Sequence, residues 1–195
     1  LFAVPGSPLQ KKEGVKDSPE TMAADQAKAG RGIANEEQLL HVAKRANEAL
    51  QMTLDAGSEY FPYLQQLGGH SVPRTYQTTN AVGAGITQPL LNECKKLGVR
   101  LVNRAMFDSL IFDDKGKVVG AKIREGYYFG RGKEGSPINV RSARGVLVAT
   151  GGFARNVGLR SAQDPTLTAE VGSTNPPNAT GEGLLELFDV GAVPV

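Results

Sequence analysis

The sequence predicts a layered α/β fold, and three observations support that prediction. Two helical patterns occupy residues 17–56, two β-rich runs flank the turn "DDKG" at 113–116, and "VLVAT" at 146–150 is a continuous apolar run. An uninterrupted apolar strand is typical of a sheet that is covered on both faces, and helices commonly provide that cover. We therefore expect helices and a sheet packed in layers.

The composition excludes several classes of protein. The 195 residues are 40% apolar and 22% charged, with a formal net charge of +2. A charge this small does not indicate binding to nucleic acid or to an anionic membrane, and no apolar run reaches the roughly 18 residues of a membrane span. The single cysteine, Cys94, excludes an internal disulfide and a cysteine-based metal site.

The N-terminal part of the chain is expected to be a loop followed by a helix. Residues 1–16 are apolar, then rich in proline and glycine, then basic, which indicates a loop. In the helix that follows, Ser18 is placed to cap the N-terminus, Pro19 suits the first turn, and Gly30 ends the helix.

Residues 35–57 form a second and clearer helical pattern. Asn35 and Gln38 have the spacing of a capping box, and Gly57 stops the helix. An apolar stripe runs along one face of the helix. Its members are Leu39, Val42, Ala43, Ala46, Leu50 and Leu54. Residues 17–56 are thus expected to be a helical pair with one buried face on each helix.

The middle of the chain, residues 60–85, has no period and is rich in glycine, hydroxyl and amide side chains. A loop of this length in a compact domain is usually functional or wraps over a partner. A helix is expected next, over 86–98, followed by a short strand in "VRLVNRA" at 99–105. A β-meander is then predicted over 107–150, and a short helix in "GEGLLELFDVGA" at 181–192.

Two glycine-rich turns are the strongest candidates for a ligand site. "ATGG" at 149–152 directly follows the expected buried strand, so bare N–H groups would lie at the sheet edge where open α/β folds bind cofactors. "NPPNATGEG" at 175–183 opens a helix, and its N–H groups suit an anion or a polar ribityl chain. A tight structural turn without a ligand is the alternative interpretation of "ATGG".

Other motifs do not add a site. "GRGKEG" at 130–135 has the spacing of a dinucleotide-binding fingerprint, but strand-like runs flank it, whereas the fingerprint must open a helix. His41 lies within a helix and is interpreted as structural. His70 has no second ligand in its surroundings, so no metal site is expected. The motifs of serine hydrolases, P-loop kinases and zinc peptidases do not occur in the sequence.

Taken in order, these motifs resemble the flavoprotein of the fumarate reductase/succinate dehydrogenase family, especially its flavocytochrome c branch. The resemblance spans nearly the whole chain and is most specific in "VLVATGGFARN" at 146–156 and "STNPPNATGEG" at 173–183, where Glu182 stands in place of the family's usual Asp. It implies that residues 1–195 are a single incomplete FAD-binding domain, Rossmann-like and of the glutathione-reductase type. Residues 86–195 would be its α/β part.

The resemblance also implies which residues face the cofactor and the substrate. The backbone from Ala105 to Phe107 would contact the adenine, and both glycine turns would lie against FAD. The FAD-contacting residues implied in this way are Ala3, Phe107, Ala149, Thr150, Gly151, Gly152, Gly181, Glu182 and Gly183. The loop that contains Leu67, Gly68 and His70 would lie near the substrate.

The implied activity is the two-electron reduction of an activated alkene, such as fumarate or another unsaturated carboxylate. A haem domain or cytochrome would donate the electrons. The location implied is the periplasm, with the cytoplasm as the alternative. Because the chain starts at Leu1 and stops within a strand-like "GAVPV", we interpret it as the middle of a longer enzyme. The pyrophosphate-binding fingerprint and the catalytic residues of the family are expected outside it, so no catalytic residue is assigned.

Two alternative functions stay open. A non-catalytic binding module would account for the missing fingerprint and catalytic groups. A flavin dehydrogenase of another substrate class, such as ketosteroids, would share the same cofactor-binding elements. For the 195 residues alone we expect low stability or self-association, because the strand "VLVAT" would expose an unpaired edge.

Overall fold

The computed structural model describes residues 1–132 and 134–193 of the chain. Its elements in chain order are β1 (Phe2–Ala3), α1 (Pro8–Glu13), α2 (Pro19–Ala29), α3 (Glu36–Asp55), β2 (Thr75–Tyr76), α4 (Ala84–Lys96), β3 (Ala105–Phe112), β4 (Val118–Glu125), β5 (Ser136–Arg141), α5 (Val157–Gln163) and α6 (Glu182–Asp189). The mixed helix and strand content expected from the sequence is confirmed. The described residues divide into two compact units, 1–101 and 102 onward.

Helix α2 in the first unit forms as the sequence predicts, because its ends carry strong local signals. The Ser18 side chain accepts a hydrogen bond from the backbone N–H of Thr21, Pro19 occupies the first turn, and Gly30 ends the helix. Residues 1–16, in contrast, are not only a loop. They contain β1 and α1, and α1 has a complete capping box between Ser7 and Gln10.

Helix α3 forms where it was predicted, but its buried face differs from the predicted stripe. Asn35 caps the N-terminus, and its side chain accepts from the N–H of Gln38. The buried residues are Ala43, Ala46, Leu50 and Thr53. Val42 is 57% exposed and Leu54 is 43% exposed, so their place in the stripe was wrong. The buried residues follow one another at intervals of three and four residues and form a narrow face, and both exposed side chains lie beside that face.

The core of the first unit joins the N-terminal strand, α3 and β2. Val4, Ala46, Leu50 and Tyr76 form its buried apolar cluster. β1 pairs antiparallel with β2, and the ring of Tyr60 packs edge-on against Tyr76 at 5.6 Å between centroids. Because β2 lies inside the long segment 60–85, that segment is partly ordered by strand pairing rather than being a loop throughout.

The second unit is built on a three-stranded antiparallel sheet in the order β3-β4-β5. The hairpin around "DDKG" is confirmed: Ala105 pairs with Glu125 at its open end, and Phe112 with Val118 beside the turn. α6 packs against β3, where the carboxylate of Glu186 accepts a hydrogen bond from the backbone N–H of Leu110 at 2.6 Å. The expected final helix is therefore present and fixed to the sheet.

Three expected strands are absent from the described residues. "VRLVNRA" is extended only from Ala105, because the preceding Arg104 has a left-handed φ of 58°. "VLVAT" at 146–150 carries no strand, since no described strand lies beside it to share backbone hydrogen bonds. The side chain of Leu147 in this segment is 91% exposed. The strand-like "GYYF" forms no continuous strand: Gly126 and Phe129 lie in turns, and Tyr128 makes a single β-bridge. The meander therefore ends at β5.

Two further sequence interpretations concern the ends of these segments. "GRGKEG" is followed by strand β5 and not by a helix, so it lacks the helix that a dinucleotide-binding fingerprint must open. Lys133 within this motif lies outside the described residues. The strand expected in "GAVPV" reaches residues 194–195, which also lie outside them. In the described part of the chain, no helix has the length and apolar character needed to cross a membrane.

Candidate functional site

A cavity of about 400 Å³ in the second unit is the candidate cofactor site. It combines the start of β3, the turn after β4, the "ATGG" turn and the start of α6. Its lining residues are Arg104, Ala105, Met106, Phe107, Tyr127, Phe129, Thr150, Asn178, Thr180, Gly181, Glu182 and Gly183. Apolar rings and backbone therefore share this cavity with one cationic and one anionic side chain.

One wall is organised by Arg104, which precedes β3. Its left-handed backbone directs its carbonyl to accept a hydrogen bond from the N–H of Tyr127 at 2.9 Å. Its guanidinium lies over the ring of Tyr128 at 4.4 Å from the centroid, within the range of a cation–π interaction. A positive φ in a non-glycine residue is costly, so the surrounding contacts must hold it in place.

Another part of the lining comes from two glycine turns, 149–152 and 181–183, which pack closely against each other. A Cβ at Gly181 would lie 2.7 Å from the Cβ of Phe153, and one at Gly183 would overlap the hydroxyl of Thr150. Gly181 also has a φ of 80°, a conformation that favours glycine. Glycine is thus required at both positions, because only the missing side chains let the turns approach this closely.

Hydrogen bonds join the same two turns. The backbone N–H of Arg155 donates to the carbonyl of Ala179 at 2.9 Å, and the side-chain amide of Asn156 donates to the carbonyl of Thr180 at 3.0 Å. Gly181 caps α6 without any side-chain hydrogen bond to the first turn of the helix. The N–H groups of that first turn can therefore serve a polar or anionic ligand, which the helix dipole also favours.

The structure brings together only some of the residues that the resemblance implied. Five of them line the cavity: Phe107, Thr150, Gly181, Glu182 and Gly183. Ala149, Gly151 and Gly152 belong to the same turn but do not line it. Ala3 lies in the first unit, on an apolar groove between β1, α2 and α3.

The loop expected near a substrate belongs to the first unit. The N–H of His70 donates to the carbonyl of Leu67 at 3.1 Å, which closes a turn through Gly68. His70 also borders a second cavity of about 400 Å³, together with Asp25 and Lys28. The loop is therefore a folded structure with a histidine at a cavity rim.

A buried ion cluster holds the end of this loop. The guanidinium of Arg74 contacts Asp17 at 2.9 and 3.0 Å and Asp25 at 2.6 Å, and Asp25 also accepts two hydrogen bonds from Ser71. Burial lowers the pKa of Arg74, but the hydrogen bonds and charges of the two aspartates outweigh it and raise that pKa. Gln10 completes the cluster by donating to Asp17 and to the carbonyl of Pro73.

Several residues of the site were missed from the sequence. Arg104 and the pair Tyr127 and Phe129 line the cavity, but a left-handed arginine gives no signal in sequence. The clustered aromatic and basic residues of "YYFGR" at 127–131 were a usable signal. Asn156 could have been recognised from sequence as a helix cap. Its second hydrogen bond, to the carbonyl of Thr180, could not, because the two residues are 24 positions apart.

The fold and the cavity define a cofactor-binding domain built on glycine turns. The chain belongs to the FAD binding domain family, whose model matches residues 1–192, and this membership identifies FAD as the cofactor. In the described part of the chain, no group of three or more His, Cys, Asp or Glu side chains is arranged to hold a metal ion.

Three proteins are similar to this chain along nearly its whole length. It is 68% identical over 195 residues to the acrylate reductase flavoprotein subunit of Shewanella woodyi, covering 100% of this chain and 38% of that protein. A flavocytochrome c3 fumarate reductase in its open conformation superposes with a TM-score of 0.82 at 26% identity, covering 98% of this chain and 33% of its own. The 3-ketosteroid-Δ4-(5α)-dehydrogenase of Rhodococcus jostii RHA1 gives 0.81 at 26% identity, with coverage of 98% and 45%. The chain thus spans less than half the length of each.

Proposed function

We propose that the chain is part of an FAD-dependent oxidoreductase that reduces an activated alkene, such as acrylate, fumarate or another unsaturated carboxylate. The observation that carries this proposal is the 68% identity to an acrylate reductase flavoprotein subunit, which extends over the whole chain. The cavity of the second unit supports it, because its glycine turns and uncapped helix suit a cofactor with both ring and polar parts.

Residues 1–195 would form a single incomplete FAD-binding domain, Rossmann-like and of the glutathione-reductase type. Bound FAD supplies the two-electron chemistry, and the residues of this chain bind and orient it. The backbone from Ala105 to Phe107 is proposed to contact the adenine. The turns 149–152 and 181–183 are proposed to face the rest of the cofactor, with Ala3 as a further contact.

Several features of the second unit favour this assignment. The hydroxyl of Thr150 and the carboxylate of Glu182 can hydrogen-bond to hydroxyl groups of a ribityl or ribose moiety. The first-turn N–H groups of α6 can face its oxygens. The rings of Phe107 and Phe129 provide an apolar surface for the flat part of the ligand.

The substrate is proposed to lie near Leu67, Gly68 and His70. A histidine at a cavity rim can hold the carboxylate of an unsaturated acid by a hydrogen bond. No residue of this chain is assigned to proton transfer. A haem domain or cytochrome is proposed as the electron donor, and the likeness to a flavocytochrome c3 supports that choice. The periplasm is proposed as the location.

A flavin dehydrogenase acting on ketosteroids is the second candidate. The TM-score of 0.81 to a 3-ketosteroid-Δ4-(5α)-dehydrogenase favours it, because the backbone of this chain superposes on that enzyme along 98% of its length. The 68% identity to the acrylate reductase subunit outweighs this likeness, since the identity to the steroid enzyme is 26%.

The experiment is a substrate survey on the full-length flavoprotein that contains this sequence. We expect the visible bands of an oxidised flavin, and a reduced electron-donor dye should be oxidised on addition of acrylate or fumarate. His70→Ala should raise KM for the acid, whereas His41→Ala, on α3, should leave it unchanged. Turnover of ketosteroids without any turnover of unsaturated carboxylates would contradict the proposal.

A further inference from the structure

The segment between α5 and α6 has no helix or strand of its own, and most of residues 164–178 are exposed. Its order depends on polar contacts made by α5 and the residues just before it. The buried guanidinium of Arg160 donates to the carbonyls of Leu167, Thr168 and Val171, and also to that of Ala154 in the preceding turn. Few apolar contacts are available to replace these bonds if they are lost.

Asn156 makes the last of these contacts, and it uses both ends of its amide. The side-chain oxygen caps α5 by accepting from the N–H of Leu159 at 3.0 Å. The side-chain nitrogen donates to the carbonyl of Thr180 at 3.0 Å. Its backbone N–H donates to the carbonyl of Phe153, which closes the turn that follows "ATGG". One side chain therefore joins α5 to the turn that begins α6.

The hydrogen bond from Asn156 to Thr180 lies next to the candidate cofactor cavity. Thr180 itself lines the candidate cavity, and the next three residues, 181–183, complete that wall and begin α6. A shift of the carbonyl of Thr180 would move the first-turn N–H groups of α6 with it. Asn156 does not line the cavity, so its effect on a ligand must be indirect.

We propose that Asn156 is a positioning residue for FAD, which holds the 178–183 turn in its binding geometry before the cofactor arrives. This inference rests on the proposed FAD site in the second unit. An ordered turn binds its ligand without first losing conformational freedom, so the bond raises affinity although it makes no contact with FAD.

The test separates the two ends of the amide in the full-length flavoprotein. Asn156→Asp keeps the oxygen that caps α5, because Asp is as good a cap as Asn, but it loses the donor to Thr180 and places a charge against that carbonyl. Asn156→Ser is an uncharged variant whose hydroxyl can cap but is too short to reach Thr180. Asn35→Asp is the matched control, because Asn35 caps α3 in the same way in the first unit.

We expect Asn156→Asp to raise the Kd for FAD about tenfold and Asn156→Ser to raise it severalfold, as follows from losing one hydrogen bond and, in the first case, adding a repulsion. Asn35→Asp should leave the Kd unchanged. The Kd is measured by FAD titration of the apoprotein, and the melting temperature of each apoprotein is recorded separately.

Three results would overturn the inference. Unchanged FAD affinity in both Asn156 variants would show that the turn does not need the bond. An equal loss in Asn35→Asp would assign the effect to helix capping. A lower melting temperature of the apoprotein with normal Kd in its folded fraction would leave only a structural role. Because the readout is FAD binding, an enzyme that binds FAD but reduces no alkene contradicts the proposed function alone.

Discussion

Gly183→Ala should weaken FAD binding, because the two glycine turns leave no space for a side chain. A Cβ at Gly183 would lie 3.1 Å from both the Cγ2 of Thr150 and the Cγ1 of Val148, and it would overlap the hydroxyl of Thr150. Overpacking of this kind costs about 1–3 kcal/mol. The apoprotein can relieve it by separating the turns, so FAD binding must close them again at that cost. The Kd for FAD should rise about 5- to 150-fold.

The assay is FAD titration of the apo form of the full-length flavoprotein, with Gly172→Ala as the control. Gly172 has no atom near its missing side chain and lies outside the cavity, so its variant should bind FAD normally. A double-mutant cycle with Thr150→Ala locates the overlap, since removing Thr150 should restore part of the affinity lost in Gly183→Ala. Normal binding by Gly183→Ala, or strictly additive losses in the cycle, would refute the interlocking of the turns.

Two further predictions concern the buried ion cluster of the first unit. Arg74→Met leaves Asp17 and Asp25 without their cation and should lower the free energy of unfolding by about 3–5 kcal/mol, whereas Arg45→Met removes an exposed pair worth under about 1 kcal/mol. Equal urea midpoints would contradict this. Burial raises the pKa of Asp25, but hydrogen bonds from Ser71 and Arg74 outweigh it and hold that pKa below its ordinary value of 3.8. The stability from Asp25 is therefore complete above that value and lost as pH falls through the lower folded-state pKa, so Asp25→Asn should flatten the acid-side fall in melting temperature. An unchanged profile would show that Asp25 contributes nothing.

The elements that could be predicted from sequence are those with local signals at their ends. Ser18 and Asn35 cap their helices as expected, and the turn "DDKG" closes the hairpin between β3 and β4. α1 had equally local signals, since Ser7 and Gln10 form a capping box. It was missed because its six residues are too short to show a helical period.

The site could be predicted only in part, for a related reason. Glycines at 151, 152, 181 and 183 mark turns, and turn chemistry can be recognised from residue type alone. The contact between Gly183 and Thr150 could not be predicted from residue type, because it depends on how two segments distant in sequence pack together. The same is true of Arg104, because its left-handed backbone occurs together with a hydrogen bond to Tyr127, which is 23 residues further along the chain.

The outcome for "VLVAT" changes how the candidate site is understood. The sequence suggested that a buried strand presents the "ATGG" turn, yet residues 146–150 form no strand in the described structure while the turn keeps its close contact with 181–183. Strand formation needs a neighbouring strand to share hydrogen bonds, whereas the two turns are joined by their close packing and by hydrogen bonds from Arg155 and Asn156. The contact between the two turns is therefore made by residues of the second unit, and Val148 and Thr150 of the 146–150 segment take part in it. If FAD binds to these turns as proposed, its affinity for the full-length flavoprotein should fall when either Asn156 or Gly183 is changed.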